Sequence, residues 1–179
     1  FTSVILIFCG KTYRAYKSAI RYIIIQVGSG ILLLSGAILL FQNGNEAIFQ
    51  ELNINSTAGL LVFIAFGIKA AFPFFNGWLQ DSYPEASEVG TVALSAFTTK
   101  LAIYALARSF AGVEILIYIG ALMTFFPIFF AVIENDLRRV LAFSLNNQLG
   151  FMVVAIGIGT ELAINLSLIH ISEPTRHTS

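Results

Sequence analysis

Residues 22–41 read YIIIQVGSGILLLSGAILLF, twenty positions without a charge directly after Arg21. About 20 apolar residues at 1.5 Å rise cover the roughly 30 Å hydrocarbon core of a bilayer. The stretch predicts a transmembrane helix and sets the scale for reading outward. Before it, Lys11, Arg14, Lys17 and Arg21 read as a basic loop, and the apolar run Phe1–Cys9 is too short to span. That run is expected to be the tail of a helix that starts upstream, because the chain opens on Phe1 with no signal-peptide n-region. After it comes a polar segment, Asn43–Thr57, with Glu46 and Glu51. Four more apolar spans follow: Ala58–Leu79, Val89–Ala107, Ile115–Ile133 and Val140–Thr160. The short links Asp81–Glu88, Arg108–Glu114 and Glu134–Arg139 separate them. The expectation is an all-α polytopic bundle with five crossings.

Composition agrees with that class. The 179 residues are 57% hydrophobic and 11% charged, with a mean hydropathy of +0.83, against roughly 45–50% apolar and about 25% charged in soluble domains. The 10 Lys and Arg balance 10 Asp and Glu, which leaves no basic surface for nucleic acid. The single cysteine, Cys9, forms no intrachain disulfide, and no Cys/His cluster has metal-site spacing, so no metal is expected. Alternating the five spans puts Lys11, Arg14, Lys17, Arg21, Arg138 and Arg139 on one side and Arg108 on the other. The first side is then cytoplasmic by the positive-inside bias, and Trp78 and Tyr83 fall at that interface as aromatic-belt residues.

Chemistry inside the membrane rests on two lysines. Lys69 lies about eleven residues into the second span and Lys100 about eleven into the third, so both amines are predicted near mid-bilayer. A central lysine costs about 2.5–3.5 kcal/mol on insertion scales, which makes it a functional-site candidate by default. Apolar surroundings favour the neutral form of an amine, and an amine that exchanges its proton is a reversible carrier. The alternative is structural, with each lysine paired to a helix carbonyl or an acid. Gly67 and Pro73 flank Lys69, and the proline removes the amide that would bond the Lys69 carbonyl, so a helix break is expected there. Broken helices at membrane depth line cavities in transporters. Gln26, Ser29, Thr98, Thr99, Ser144, Asn146, Asn147 and Gln148 are read first as interhelical hydrogen-bonding groups, with water carriage as the alternative. The Gly28-Ser29-Gly30 run is read as helix packing, since no strand precedes it to make a phosphate cradle.

Four stretches carry a family resemblance: 72–86 (FPFFNGWLQDSYPEA), 94–108 (LSAFTTKLAIYALAR), 135–144 (NDLRRVLAFS) and 148–152 (QLGFM). They resemble the antiporter-like membrane subunits shared by proton-pumping NADH:quinone oxidoreductase (complex I) and the Mrp-type multisubunit sodium/proton antiporters, over nearly all of residues 1–165. The version here looks closer to the D-type member of the antiporter branch. The resemblance implies two inverted five-helix repeats, each with a broken helix, and would place this chain from the end of the fifth helix to the end of the tenth. Lys69 then matches the lysine of the broken seventh helix and Lys100 that of the eighth, which in the family pass protons along a hydrated axis. The glutamate that pairs with the seventh-helix lysine would precede Phe1, and Gln80 stands where many relatives have proline. The resemblance further implies no bound redox cofactor, neighbouring membrane subunits as partners, protons and sodium as transported ions, and a bacterial inner membrane. Three functional readings stay open: an antiporter subunit, a complex I subunit that would be part of an oxidoreductase translocase, and a truncated chain without activity.

Residues 166–176, LSLIHISEPTR, resemble a translated sequencing adaptor. Residues 1–165 are expected to form the partial proton-conducting domain and 166–179 an artefactual tail. His170, His177 and the Asn165-Leu166-Ser167 triplet are therefore given no functional role.

Overall fold

The computed structural model describes residues 2–42 and 52–172. The elements are α1 (Thr2–Phe8), α2 (Tyr13–Gln42), α3 (Thr57–Lys69), α4 (Gly77–Ser82), α5 (Glu88–Ser109), α6 (Ile115–Ile133), α7 (Leu137–Ile158) and α8 (Glu161–Ser172). The all-α expectation holds among the described residues. Helices α2, α6 and α7 and the Val89–Ser109 part of α5 are long and apolar enough to cross a membrane.

Two sequence expectations change. The basic residues do not form a loop: Arg14, Lys17 and Arg21 lie on the first turns of the 30-residue α2. Thr12 starts this helix early, its hydroxyl accepting the Ala15 amide at 3.0 Å as an N-cap does. The second predicted span is not one helix but two, α3 and α4, with residues 70–76 between them. Glu46 and most of the predicted polar segment, with residues 173–179 and His177, lie outside the described residues.

Contacts between elements mark the two ends of the bundle. Arg21 pairs with Asp81 at 2.8 Å, Thr12 donates to Glu85 at 3.1 Å, and Arg138 donates to the Pro84 carbonyl at 3.3 Å. These contacts gather the start of α2, the turn after α4 and the start of α7 at one end. At the other, the Leu52 amide bonds the Ser109 carbonyl at 2.9 Å and the Gly112 amide that of Ile156 at 3.0 Å.

Small residues set the closest helix approaches. A Cβ on Gly120 would sit 2.7 Å from the Val154 amide nitrogen and 2.8 Å from the Gly150 carbonyl oxygen, and one on Gly150 would sit 2.8 Å from the Thr124 nitrogen. Backbone meets backbone along the α6–α7 hairpin, the approach that small residues permit in membrane helices. Gly36 does the same between α2 and α3, where an added Cβ would lie 2.7 Å from Val62 Cγ2. Gly28 and Gly30, read from sequence as packing glycines, have open space where a Cβ would be. Spacing alone did not show which glycine on α2 faces α3.

Candidate functional site

Lys69 is the last residue of α3. Pro73 offers no amide to the Lys69 carbonyl, and its ring would collide with that carbonyl in a continuing helix. The chain instead closes the helix end with a pair of bonds, Phe72 amide to Gly67 carbonyl at 3.0 Å and Ala71 amide to Ile68 carbonyl at 3.3 Å. This is the Schellman pattern, in which the residue after the cap turns left-handed. Here that residue is Ala71, at φ 60°, where glycine is usual. Gly67 makes the return possible: a Cβ there would lie 2.5 and 2.7 Å from ring carbons of Phe72, which folds back over the bare backbone. The loosening expected at Lys69 is thus a full termination, with Gly67 and Pro73 both part of it.

Trp78 and Tyr83 are not belt residues. Each is 2% exposed. The Trp78 indole donates to the Ile68 carbonyl at 3.0 Å, and the Tyr83 hydroxyl donates to the Leu94 carbonyl at 3.0 Å. Burial of Tyr83, in the turn after α4, pushes its phenol well above the ordinary value, so it keeps the proton it donates. Trp78 also meets Tyr22 edge-on, ring centroids 5.5 Å apart. A buried indole needs an acceptor, and the helix break supplies one.

The amine end of α3 borders a cavity of about 440 Å³, with α1, α2 and α5 as its other walls. Its polar lining is Ser3, Tyr22, Gln26, Lys69 and Thr98, set among apolar residues that include Phe66 and Leu101, and no carboxylate lines it among the described residues. Lys69 is about twelve residues, or roughly 18 Å of helix, from the start of α3.

Lys100 does not line this cavity. It is half-buried on α5, two residues and roughly 200° around the helix from Thr98, so the two lysines face different sides. The polar run on α7 also divides. Ser144 and Gln148 line a cleft of about 340 Å³ against α5, with Thr91, Ser95 and Arg138. Asn146, 1% exposed, lines a separate cavity of about 260 Å³ beside Pro73 and Asn76. Its amide makes no hydrogen bond with the described residues, and neither does Nε2 of Gln26, contrary to the interhelical bonding expected of both.

Residues 1–173 match the family described as NADH:quinone oxidoreductase/Mrp antiporter, transmembrane. The chain is 25% identical to a subunit of the Na(+)/H(+) antiporter of Alkalihalophilus pseudofirmus, over 95% of this chain and 38% of that protein. It is 32% identical to NADH-ubiquinone oxidoreductase chain 5 of Artemia franciscana, over 90% of this chain and 31% of that one. Its fold superposes on a chain of the Mrp complex from a Dietzia species with a TM-score of 0.81 at 23% identity, covering 89% of this chain and 33% of the other. The chain spans roughly a third of the length of these relatives. The broken helix, the apolar helices around it and the match along nearly the whole chain lead to one assignment: this integral membrane protein belongs to the NADH:quinone oxidoreductase/Mrp antiporter transmembrane family.

Proposed function

We propose that the chain translocates protons across the membrane as part of a multisubunit cation/proton antiporter, with Lys69 as the residue that takes up and releases the proton. The observation that carries this reading is the position of Lys69 at a helix terminus beside a cavity of about 440 Å³ lined by polar groups of three other helices. Such a volume holds several waters, and polar groups from three other helices stand ready to bind them. The amine takes a proton from one water and returns it to another. Lys100, on a different face of α5, is proposed as the next carrier. Other membrane subunits are its proposed partners, protons and sodium its ions, and a bacterial inner membrane its setting, with the basic end cytoplasmic. The activity is assigned to residues 1–165, and none to 166–179.

The 32% identity to an NADH-ubiquinone oxidoreductase chain favours a second reading, in which the same path is driven by quinone reduction in a neighbouring subunit. The test of the shared core is Lys69→Ala in the complete transporter. Proton uptake into sealed vesicles is lost while insertion is retained, since the change removes a titrating group and relieves a burial cost of about 2.5–3.5 kcal/mol. Uptake at the wild-type rate refutes the role.

A further inference from the structure

Helix α2 is longer than a bilayer core requires. Its 30 residues rise about 45 Å, and the twenty uncharged positions 22–41 already cross roughly 30 Å of hydrocarbon. Charged side chains are costly within that core, so residues 13–21, roughly 14 Å of helix, stand in the headgroup layer. The helix sorts its side chains there. Ala15, Ser18 and Ala19 are buried, while Tyr13, Arg14, Tyr16, Lys17 and Ile20 are exposed. Tyr16 is seated edge-on against Phe8 of α1, ring centroids 5.6 Å apart. Arg21 pairs with Asp81 at 2.8 Å, whereas Lys11, Arg14 and Lys17 hold their charges at the surface.

Arg14, Lys17 and Arg21 follow one another at steps of three and four, which puts them on one side of α2. The same steps continue from Lys17 through Ile20, Ile24, Val27 and Ile31, all four exposed. From Ile20 to Ile31 the stripe covers roughly 17 Å, about the hydrocarbon depth of one leaflet. Tyr13 and Tyr16, each an apolar ring with a polar tip, stand beside the cations at the depth of an interface belt, the place hydropathy gave to Trp78 and Tyr83. We propose that this face of α2 binds an anionic phospholipid of the leaflet at the basic end, its phosphate on Arg14 and Lys17 with Lys11 beside them, and an acyl chain along residues 20–31. Charge complementarity selects the headgroup, since basic side chains just outside a membrane helix attract anionic lipid. The order of chemistry along the face is that of the lipid from head to tail. Membrane helices meet where small residues let backbones approach, as α2 does at Gly36, and the stripe is β-branched at all four of its aliphatic positions. The inference does not depend on the role of Lys69.

The test uses the complete transporter in phosphatidylcholine nanodiscs. Each holds a trace of one photoactivatable probe, phosphatidylglycerol or phosphatidylcholine with the same diazirine-bearing acyl chain, and crosslinks to residues 20–31 are counted by peptide mass spectrometry. The phosphatidylglycerol probe is expected to label this segment about tenfold more than the phosphatidylcholine probe. Arg14→Gln and Lys17→Gln each lower that ratio about fivefold, the weight of one basic side chain beside anionic lipid, and the double variant brings it toward one. Arg108→Gln, in the last turn of α5 at the other end, leaves it unchanged. Equal labelling by the two probes in the wild type overturns the proposal, because the face then meets bulk lipid alone. Failure of both probes to label it overturns the proposal in favour of a protein neighbour on that face. An undiminished ratio in the double variant overturns it as well. Should that variant fail to insert, the wild-type ratio measured from low to high salt decides: screening lowers a preference set by charge, and a ratio independent of salt overturns the site.

Discussion

The indole Nε1 of Trp78 donates to the carbonyl oxygen of Ile68 at 3.0 Å, across the break between α3 and α4. The bond ties the second half of the broken helix to the carbonyl end of the first, one residue before Lys69. It satisfies an acceptor that a continuous helix would have paired with the amide of residue 72, which is turned back to Gly67 instead.

Trp78→Phe keeps an aromatic ring against Tyr22 but removes the donor. A net loss of about 1 kcal/mol is expected for the bond, with more from the lost ring area. Unfolding in detergent followed by circular dichroism measures it. Stability equal to the wild type would mean that the Ala71 amide, 3.3 Å from the same carbonyl, is sufficient alone.

Glycine substitutions should divide by position. Gly150→Leu pushes side-chain atoms into the backbone of α6 at Thr124 and Gly120 and should lower stability by about 1–3 kcal/mol or more. Gly28→Ala meets nothing within 4 Å and should leave stability unchanged or raised by roughly 0.5–1 kcal/mol. Trp78 is the only tryptophan in the chain, so its fluorescence reports both transitions. Equal losses at the two sites would contradict the helix pairing described.

Orientation can be read from the unmodified protein. Cys9 is the only cysteine and is exposed in the turn between α1 and α2, at the end that carries six of the Lys and Arg residues. With that end cytoplasmic, a membrane-impermeant maleimide labels Cys9 in inverted vesicles and not in intact spheroplasts. The opposite pattern would reverse the topology.

Lys100→Arg keeps a positive charge but not an exchangeable one, since guanidinium holds its proton at accessible pH. Transport through the complete assembly should fall by about a hundredfold or more, the scale of a lost proton-transfer group. A variant that pumps at the wild-type rate would leave Lys100 as a packing residue.

The sequence by itself determined the solvent. Apolar runs of about 20 residues have no stable exposure to water, so the crossings at Tyr22–Phe41, Val89–Ala107, Ile115–Ile133 and Val140–Thr160 were legible to within a turn, apart from the early start of α2. Local chemistry also announced the break, because a proline four residues after Lys69 acts on that carbonyl wherever the chain lies. Tertiary structure decided the rest. Hydropathy records how apolar a position is and not what it faces, so Trp78 and Tyr83 read as interface residues while the fold buries both against carbonyls of other segments. The same blindness to helix rotation assigned packing to Gly28 and Gly30 rather than to Gly36, and placed Lys69 and Lys100 at one depth without showing that they face different sides. Gln26 was one polar residue among several along the chain. Only the approach of α1, α2, α3 and α5 brings Ser3, Gln26 and Thr98 to the cavity that Lys69 borders, because which side chains meet across helices depends on their rotation and crossing and not on their spacing along one chain.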